Sequence, residues 1–215
     1  MKKPLFIARQ GRKPTGLFGR LVGNIMSRET APANDIAIAL LNVCPGDRVL
    51  DIGTGHGRSL GLLAELNAPG TVFGLDFSET MRRIAKRRNK ALIKQGRVKL
   101  LPGTSDNLPF PDCSFDKIMS VHTIYFWEDV QRHIAEIYRV TAPGGQVVLG
   151  FRPDEDGAIT KNWPAQVYTF RTSEEISNLF SAAGFNVRAI EKAGEPAGPM
   201  NWLLAERDTT GTKAA

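Results

Sequence analysis

An apolar strand, Val49-Leu50-Asp51-Ile52, runs directly into Gly53-Thr54-Gly55-His56-Gly57, and the segment after it carries Leu60, Leu62, Leu63 and Leu66 as the apolar residues of a helix. Three glycines at every second position let the backbone turn sharply between strand and helix. They also bring it close to a ligand with no Cβ in the way. The following helix offers unpaired N–H groups and the positive end of its dipole, which suits a carboxylate or a phosphate. Such a turn belongs to an open α/β sheet that binds its ligand at the carboxyl edge of the strands.

The alternation continues downstream. Ala68-Pro69-Gly70 stops the helix, and residues 71–75 form a second strand. Ser78 can cap a helix from 79 to about 94, residues 98–101 form a third strand, and 102–114 is a Pro-rich loop. A fourth strand at 115–121 and a helix at about 128–140 follow. Pro143-Gly144-Gly145 closes that helix and opens a fifth strand at 146–151. The pattern predicts a helix over 172–183 stopped by Gly184, then strands at 186–193 and 200–206 with no helix between them, which therefore pair antiparallel. The expectation is an α/β, doubly wound, Rossmann-like fold: a seven-stranded, mostly parallel sheet with its last strand antiparallel. The domain occupies 31–208, behind an N-terminal arm (1–30) and ahead of a polar tail (209–215).

Two cofactors compete for the glycine turn. A dinucleotide fingerprint wants G-x-G-x-x-G, but counting from Gly53 puts Arg58 at the last glycine. The run reads instead as acid-x-G-x-G-x-G. A second signal closes the second strand, Gly74-Leu75-Asp76-Phe77-Ser78, with Met81 one turn on. A carboxylate there can accept hydrogen bonds from two vicinal hydroxyls of a ribose. Gly103-Thr104-Ser105-Asp106-Asn107-Leu108-Pro109-Phe110 and Arg139-Val140-Thr141-Ala142-Pro143-Gly144-Gly145 follow in order.

Taken in that order, the four features cover nearly half of the chain and resemble the small-molecule branch of the class I S-adenosylmethionine-dependent methyltransferases. The resemblance implies that Asp51, Gly53, Thr54, Gly55 and Gly57 hold the methionyl end of S-adenosylmethionine and that Asp76 holds its ribose. It implies that Phe77 and Met81 flank the adenine, with Ser105 and Asp106 at the adenine edge. Family members commonly carry an acid directly after the loop glycine, where this chain has Thr104. Either Asp106 takes over that contact, or backbone and stacking hold the adenine.

The sulfonium methyl is already activated, so transfer needs an aligned nucleophile more than a covalent protein intermediate. The fourth strand ends in Val121-His122-Thr123-Ile124-Tyr125-Phe126-Trp127 at the cofactor edge. His122 is the candidate base, since imidazole titrates near neutrality; the alternative is that it lines the methionyl pocket through its backbone. Tyr125 and Trp127 are candidates for an aromatic acceptor wall, or else pack at a strand–helix corner. His133 fits a helix face. An Asn/Asp-Pro-Pro-aromatic motif, which marks enzymes that methylate amino groups of bases or glutamine, is not found at 121–124. Quinone-ring methyltransferases resemble this core, but their N-terminal signature is not found either.

Charge adds a constraint. Of the net +6, seven Lys or Arg and no acid fall within 1–28, and nine bases and no acid within 82–99. The second block suits a solvated helix face, with RNA or anionic lipid as the other reading. In the arm, Leu17, Phe18, Leu21, Val22, Ile25 and Met26 recur at helical spacing. That stripe suits a lid over the acceptor pocket or an interfacial helix giving peripheral membrane contact. Nothing suggests a specific nucleic-acid partner. Cys44 and Cys113 stand far apart, with neither a disulfide framework nor zinc spacing, so no metal is expected. No apolar run is long enough to span a bilayer and no secretory signal is visible, which points to the cytoplasm. The expected function is methyl transfer from S-adenosylmethionine to a small-molecule acceptor, apolar or lipid-like. A non-catalytic S-adenosylmethionine-binding protein and a nicotinamide-dependent oxidoreductase are the alternatives.

Overall fold

The computed structural model describes residues 3–209, apart from 17, 18, 20, 23, 24, 26–28, 196 and 197. Of the apolar stripe in the arm, Leu17, Phe18 and Met26 thus lie outside the described residues.

A seven-stranded sheet is built from β1 (Val49–Ile52), β2 (Val72–Asp76), β3 (Val98–Pro102), β4 (Phe115–Val121), β5 (Thr141–Phe151), β6 (Phe185–Glu195) and β7 (Gly198–Arg207). Its order is β3-β2-β1-β4-β5-β7-β6. Strands β1 to β5 pair in parallel, while β7 lies antiparallel to both β5 and β6. The described helices are α1 (Leu5–Arg12), α2 (Ala31–Leu41), α3 (Arg58–Leu66), α4 (Glu79–Arg88), α5 (Lys90–Lys94), α6 (Val130–Val140) and α7 (Ser173–Ala182). The doubly wound mixed sheet expected from the strand–helix alternation is the fold observed.

Burial follows from the strand order. β1 sits mid-sheet and all four of its residues are buried, as a parallel strand covered on both faces requires. One face packs Leu50, Ile118, Leu149 and Leu203 with Ile134, Ile137, Ile176 and Phe180. The other packs Val49, Val72, Met119 and Val148 with Ala37, Leu41, Leu60, Leu63 and Trp202.

Three local readings need correction. The helix expected over 79–94 is two, divided at buried Asn89, whose Nδ2 donates to Gly57 O at 2.7 Å and to Ala85 O at 3.0 Å. Strand β5 begins at Thr141 rather than 146. Phe115 pairs with Thr141 and Lys117 with Gln146, so the Pro-Gly-Gly segment is taken up as an irregularity inside the strand. The polar start of the chain contains α1, whose Ala8 is fully buried against the domain.

Candidate active site

The carboxyl ends of β1, β2 and β4 surround a cavity of about 320 Å³, a size suited to a small-molecule cofactor. Gly53, Asp76, Phe77, Ser105, Asp106 and Trp127 line it, as do Ile52, Thr123, Phe126, Arg132, His133 and, from α1, Arg12.

Each wall has a local cause. Gly53, Gly55 and Gly57 all have positive φ, as the turn requires. A Cβ on Gly53 would sit 2.4 Å from Thr123 Cγ2, and one on Gly57 would sit 2.7 Å from Ala85 Cβ. A Cβ on Gly55 would meet only Gly53 O, at 3.9 Å, so the middle glycine borders open space. Packing requires the outer two glycines, of which Gly53 also lines the cavity, while Gly55 borders open space and is not among the lining residues. Asp51 lies behind the turn, fully enclosed, where Ser59 donates to it; burial raises its pKa to about 6, with the Ser59 bond opposing. The nearby Thr54 hydroxyl is buried and forms no well-shaped hydrogen bond of its own. Arg58, at the third dinucleotide-glycine position, points to Asp35 as a two-pronged ion pair, 2.5 and 2.9 Å.

Asp76 ends β2 with both carboxylate oxygens in use. Oδ2 accepts from Gly55 N–H at 2.8 Å and Oδ1 from Ser78 N–H at 2.7 Å, which ties the second strand's acid to the first strand's turn. Burial raises its pKa, and these two bonds hold it back. Each oxygen keeps a further lone pair for a ligand hydroxyl. Phe77 lines the cavity, whereas Met81 is buried beneath it with its N–H on the Ser78 cap.

The loop after β3 is pinned by α6. Glu136 accepts from Leu108 N–H, and Arg139 donates to the carbonyls of Leu108 and Phe110. That fixes Ser105 and Asp106 on the cavity wall. Thr104 donates to Asp106, and that bond, before all other causes, keeps the Asp106 carboxyl below its usual range. Ser105 Oγ lies 2.7 Å from His133 Nδ1, and the His133 ring stacks on Trp127, centroids 5.0 Å apart at 5°. His133 therefore belongs to the site. Helical spacing alone does not mark it, since its contacts with Ser105 and Trp127 arise between elements.

His122 and Tyr125 are not among the cavity-lining residues. His122 has φ +60°, and its Nδ1 lies 3.2 Å from the Tyr125 hydroxyl. Burial and then Arg152 push its pKa down to about 4. Tyr125 Oη accepts from Arg152 N–H, and its ring packs in a cluster with Phe126, Tyr168 and Phe170. The segment after β5 supplies Trp163, Tyr168 and Phe170, with Trp163 4.6 Å from Tyr168. The aromatic residues of that segment show neither a helix nor a strand period, so no sequence signal marks them.

Helix α1 closes over this edge. Lys3 N–H donates to Asn162 O and its ammonium sits 3.6 Å over the Trp163 ring. Tyr168 Oη reaches Ala8 O at 3.4 Å, Arg12 pairs with Glu128 at 2.9 Å, and Ser78 Oγ donates to Pro14 O at 2.7 Å.

A profile described as the methyltransferase domain matches residues 50–149, the span from the first strand to the fifth. An uncharacterized methyltransferase of Bacillus subtilis (strain 168) is 30% identical over 165 residues, covering 77% of this chain and 86% of its own. A demethylmenaquinone methyltransferase of Thermus thermophilus is 34% identical over 168 residues, covering 66% of this chain and 75% of its own. Among solved structures, an S-adenosylmethionine-dependent methyltransferase from Aquifex aeolicus superposes with a TM-score of 0.69 at 21% identity, over 95% of this chain and 99% of its own.

Proposed function

This chain belongs to the class I S-adenosylmethionine-dependent methyltransferases, and from that premise we propose that its acceptor is a flat, apolar, quinone-like small molecule. The observation that carries the proposal is the aromatic cluster of Tyr125, Phe126, Trp163, Tyr168 and Phe170 beside the cavity, at the carboxyl ends of β4 and β5. Of these rings Phe126 lines the cavity, backed by the others, and an aromatic wall of this kind stacks on a ring and offers few partners to a polar chain. The names of relatives agree: two of them are a demethylmenaquinone methyltransferase and a ubiquinone/menaquinone biosynthesis C-methyltransferase.

The residues present fit the cofactor. The clear space at Gly55, the buried Thr54 hydroxyl beside Asp51 and the spare lone pairs of Asp76 are what a ligand with an amino-acid end and a ribose requires. When bound, S-adenosylmethionine supplies an activated sulfonium methyl. In this reading Gly53, Thr54, Gly55 and Gly57 cradle the methionyl end, with Asp51 as the fixed charge behind it. Asp76 accepts from the ribose hydroxyls. Phe77, supported by Met81, covers the adenine, and Ser105, held by His133, and Asp106 meet its edge.

Alignment is then the protein's main contribution. An imidazole that titrates near 4 is neutral at physiological pH and a weak base. We therefore assign His122 a positioning role: it holds the Tyr125 hydroxyl, and through it the backbone of Arg152, at the acceptor side of the cavity. The arm acts as the lid, since residues 3–14 span the edge from Trp163 to Phe77 and Ser78.

Incubation with methyl-labelled cofactor and a whole-cell extract, followed by phase separation, tests the acceptor class. Label is expected in the organic phase, on a compound with a quinone chromophore. Label found only in protein, nucleic acid or water-soluble amines would overturn the proposal.

A further inference from the structure

Large apolar side chains left exposed are concentrated in one place. Among the described residues these are Leu5, Phe6, Ile7, Leu21, Ile25 and Leu66, and all but the last belong to the N-terminal arm. Phe6 is 59% exposed and Leu21 56%. Scattered exposed leucines need no account, but a cluster on one segment does. The same segment carries Lys3, Arg9, Arg12 and Lys13, and its one acid is Glu29, near its end.

The inner side of the arm is fully engaged. Ala8 and Gln10 are buried, and the bonds of Lys3, Ala8, Arg12 and Pro14 run to Asn162, Tyr168, Glu128 and Ser78. Those partners follow β5, β4 and β2, so the arm lies across the carboxyl edge of the sheet. On α1, Leu5, Phe6 and Arg9 share the side turned away from the domain, while Ile7 lies on the opposite side, near Gly11, and is still 46% exposed. Where the arm leaves α1, a second cavity of about 680 Å³ is lined by Lys13, Arg83 and Arg87. Its one acid, Glu79, is paired with Arg83.

We propose that the outer face of the arm docks on an anionic lipid bilayer and brings the carboxyl edge of the sheet against the membrane surface. The apolar crown enters the headgroup boundary, while the basic residues flanking it and lining the second cavity face the lipid phosphates. RNA would satisfy the charge but not the exposed Leu5 and Phe6. A second copy of the chain would bring two basic arms together. The inference deepens the reading of an apolar acceptor and rests on it for its purpose: a membrane-dissolved acceptor would pass from bilayer to site without crossing water.

The test is co-sedimentation of the full chain with vesicles of phosphatidylcholine alone and of phosphatidylcholine mixed with phosphatidylglycerol, neither containing acceptor. The mixed vesicles are expected to retain the protein about tenfold better, with the advantage lost at high ionic strength. The double variant Leu5→Asp, Arg9→Glu, both exposed on the outer side, is expected to lose about tenfold of that retention. Its affinity for S-adenosylhomocysteine should match that of the parent, which shows that the fold is intact. Equal retention on both vesicle types, retention unchanged by the double variant, or concentration-dependent self-association without lipid binding would each overturn the proposal. Because no acceptor is present, failure here is distinct from failure of the acceptor reading, which is judged by the labelled product.

Discussion

The two sides of the carboxyl edge are built by different physics. On the cofactor side, Gly55 N–H and Ser78 N–H fix Asp76, Ser59 fixes Asp51, and Asn89 fixes the carbonyl of Gly57. These are directional bonds at buried positions, where leaving either partner unmade costs the full desolvation of a polar group. On the acceptor side, Tyr125, Phe126, Trp163, Tyr168 and Phe170 meet as rings at centroid distances of 4.6 to 6.3 Å, beneath a helix that the chain lays over them. Ring packing is strong but broad in geometry, so it can re-form around different guests. The difference teaches how one sheet edge can pair a fixed polar wall with an adaptable aromatic one, as the proposed cofactor and acceptor require.

Replacing Asp76 with alanine strikes the directional side and should have the largest effect. Two charge-assisted bonds to the ribose disappear and two backbone N–H groups lose their acceptor, so affinity for S-adenosylhomocysteine should fall about a thousandfold, about 4 kcal/mol, by calorimetry. A drop of only a few fold would remove the contrast between the two sides.

The pH response sharpens the comparison, because each side buries a titratable group and shifts it in the opposite sense. Asp51 has its folded pKa raised from 3.8 to about 6, so the fold loses stability as pH rises through that window. His122 has its folded pKa lowered from 6.5 to about 4, so its contribution is full above 6.5 and is lost as pH falls toward 4. Burial lowers His133 in the same direction as His122. Asp51→Asn removes the opposing trend. Relative to the parent, its stability in chemical denaturation should gain about 2 kcal/mol between pH 4 and 6.5. A stability difference that does not change with pH would show that Asp51 is not held as described.

Asn89→Ala should cost about 2 kcal/mol of stability, read as a lower denaturation midpoint, because the carbonyl of Gly57 loses its donor inside the protein. Cofactor affinity should weaken with it, since Gly57 ends the turn. The smallest effect belongs to the aromatic side. Trp163→Leu should raise KM for the acceptor about fivefold, about 1 kcal/mol, and leave cofactor affinity unchanged. A matching loss in cofactor affinity would mean that the two sides are not separable.

The same division explains what could be read from the sequence. Gly53, Gly55, Gly57 and Asp76 were legible because a turn at positive φ and an acid at a strand end are local requirements, written in consecutive residues. The seven strands and the antiparallel last one followed from alternation, whereas their order in the sheet is set by crossovers that no local pattern records. Asn89 was not legible: in a basic helix a polar residue looks solvated, and only the fold brings it 32 residues back to Gly57. His133 and Arg12 reach the cavity through packing between elements, which no local pattern records. The aromatic side was half visible. The run 125–127 stood out, but its partners at 163–170 lie in an irregular segment, and the fold turns Tyr125 inward while Phe126 and Trp127 face the cavity. The helix at 5–12 was hidden by its own exposed basic residues.

The central claim is that the sulfonium cofactor lies at the carboxyl ends of β1 and β2, with its ribose on Asp76. A crystal structure with S-adenosylhomocysteine bound tests it most directly. The account expects the amino-acid end over Gly55, both ribose hydroxyls within hydrogen-bond reach of Asp76, and the adenine between Phe77 and the Ser105–Asp106 loop. Density for the ligand outside this cavity, or a ribose without contact to Asp76, would contradict it.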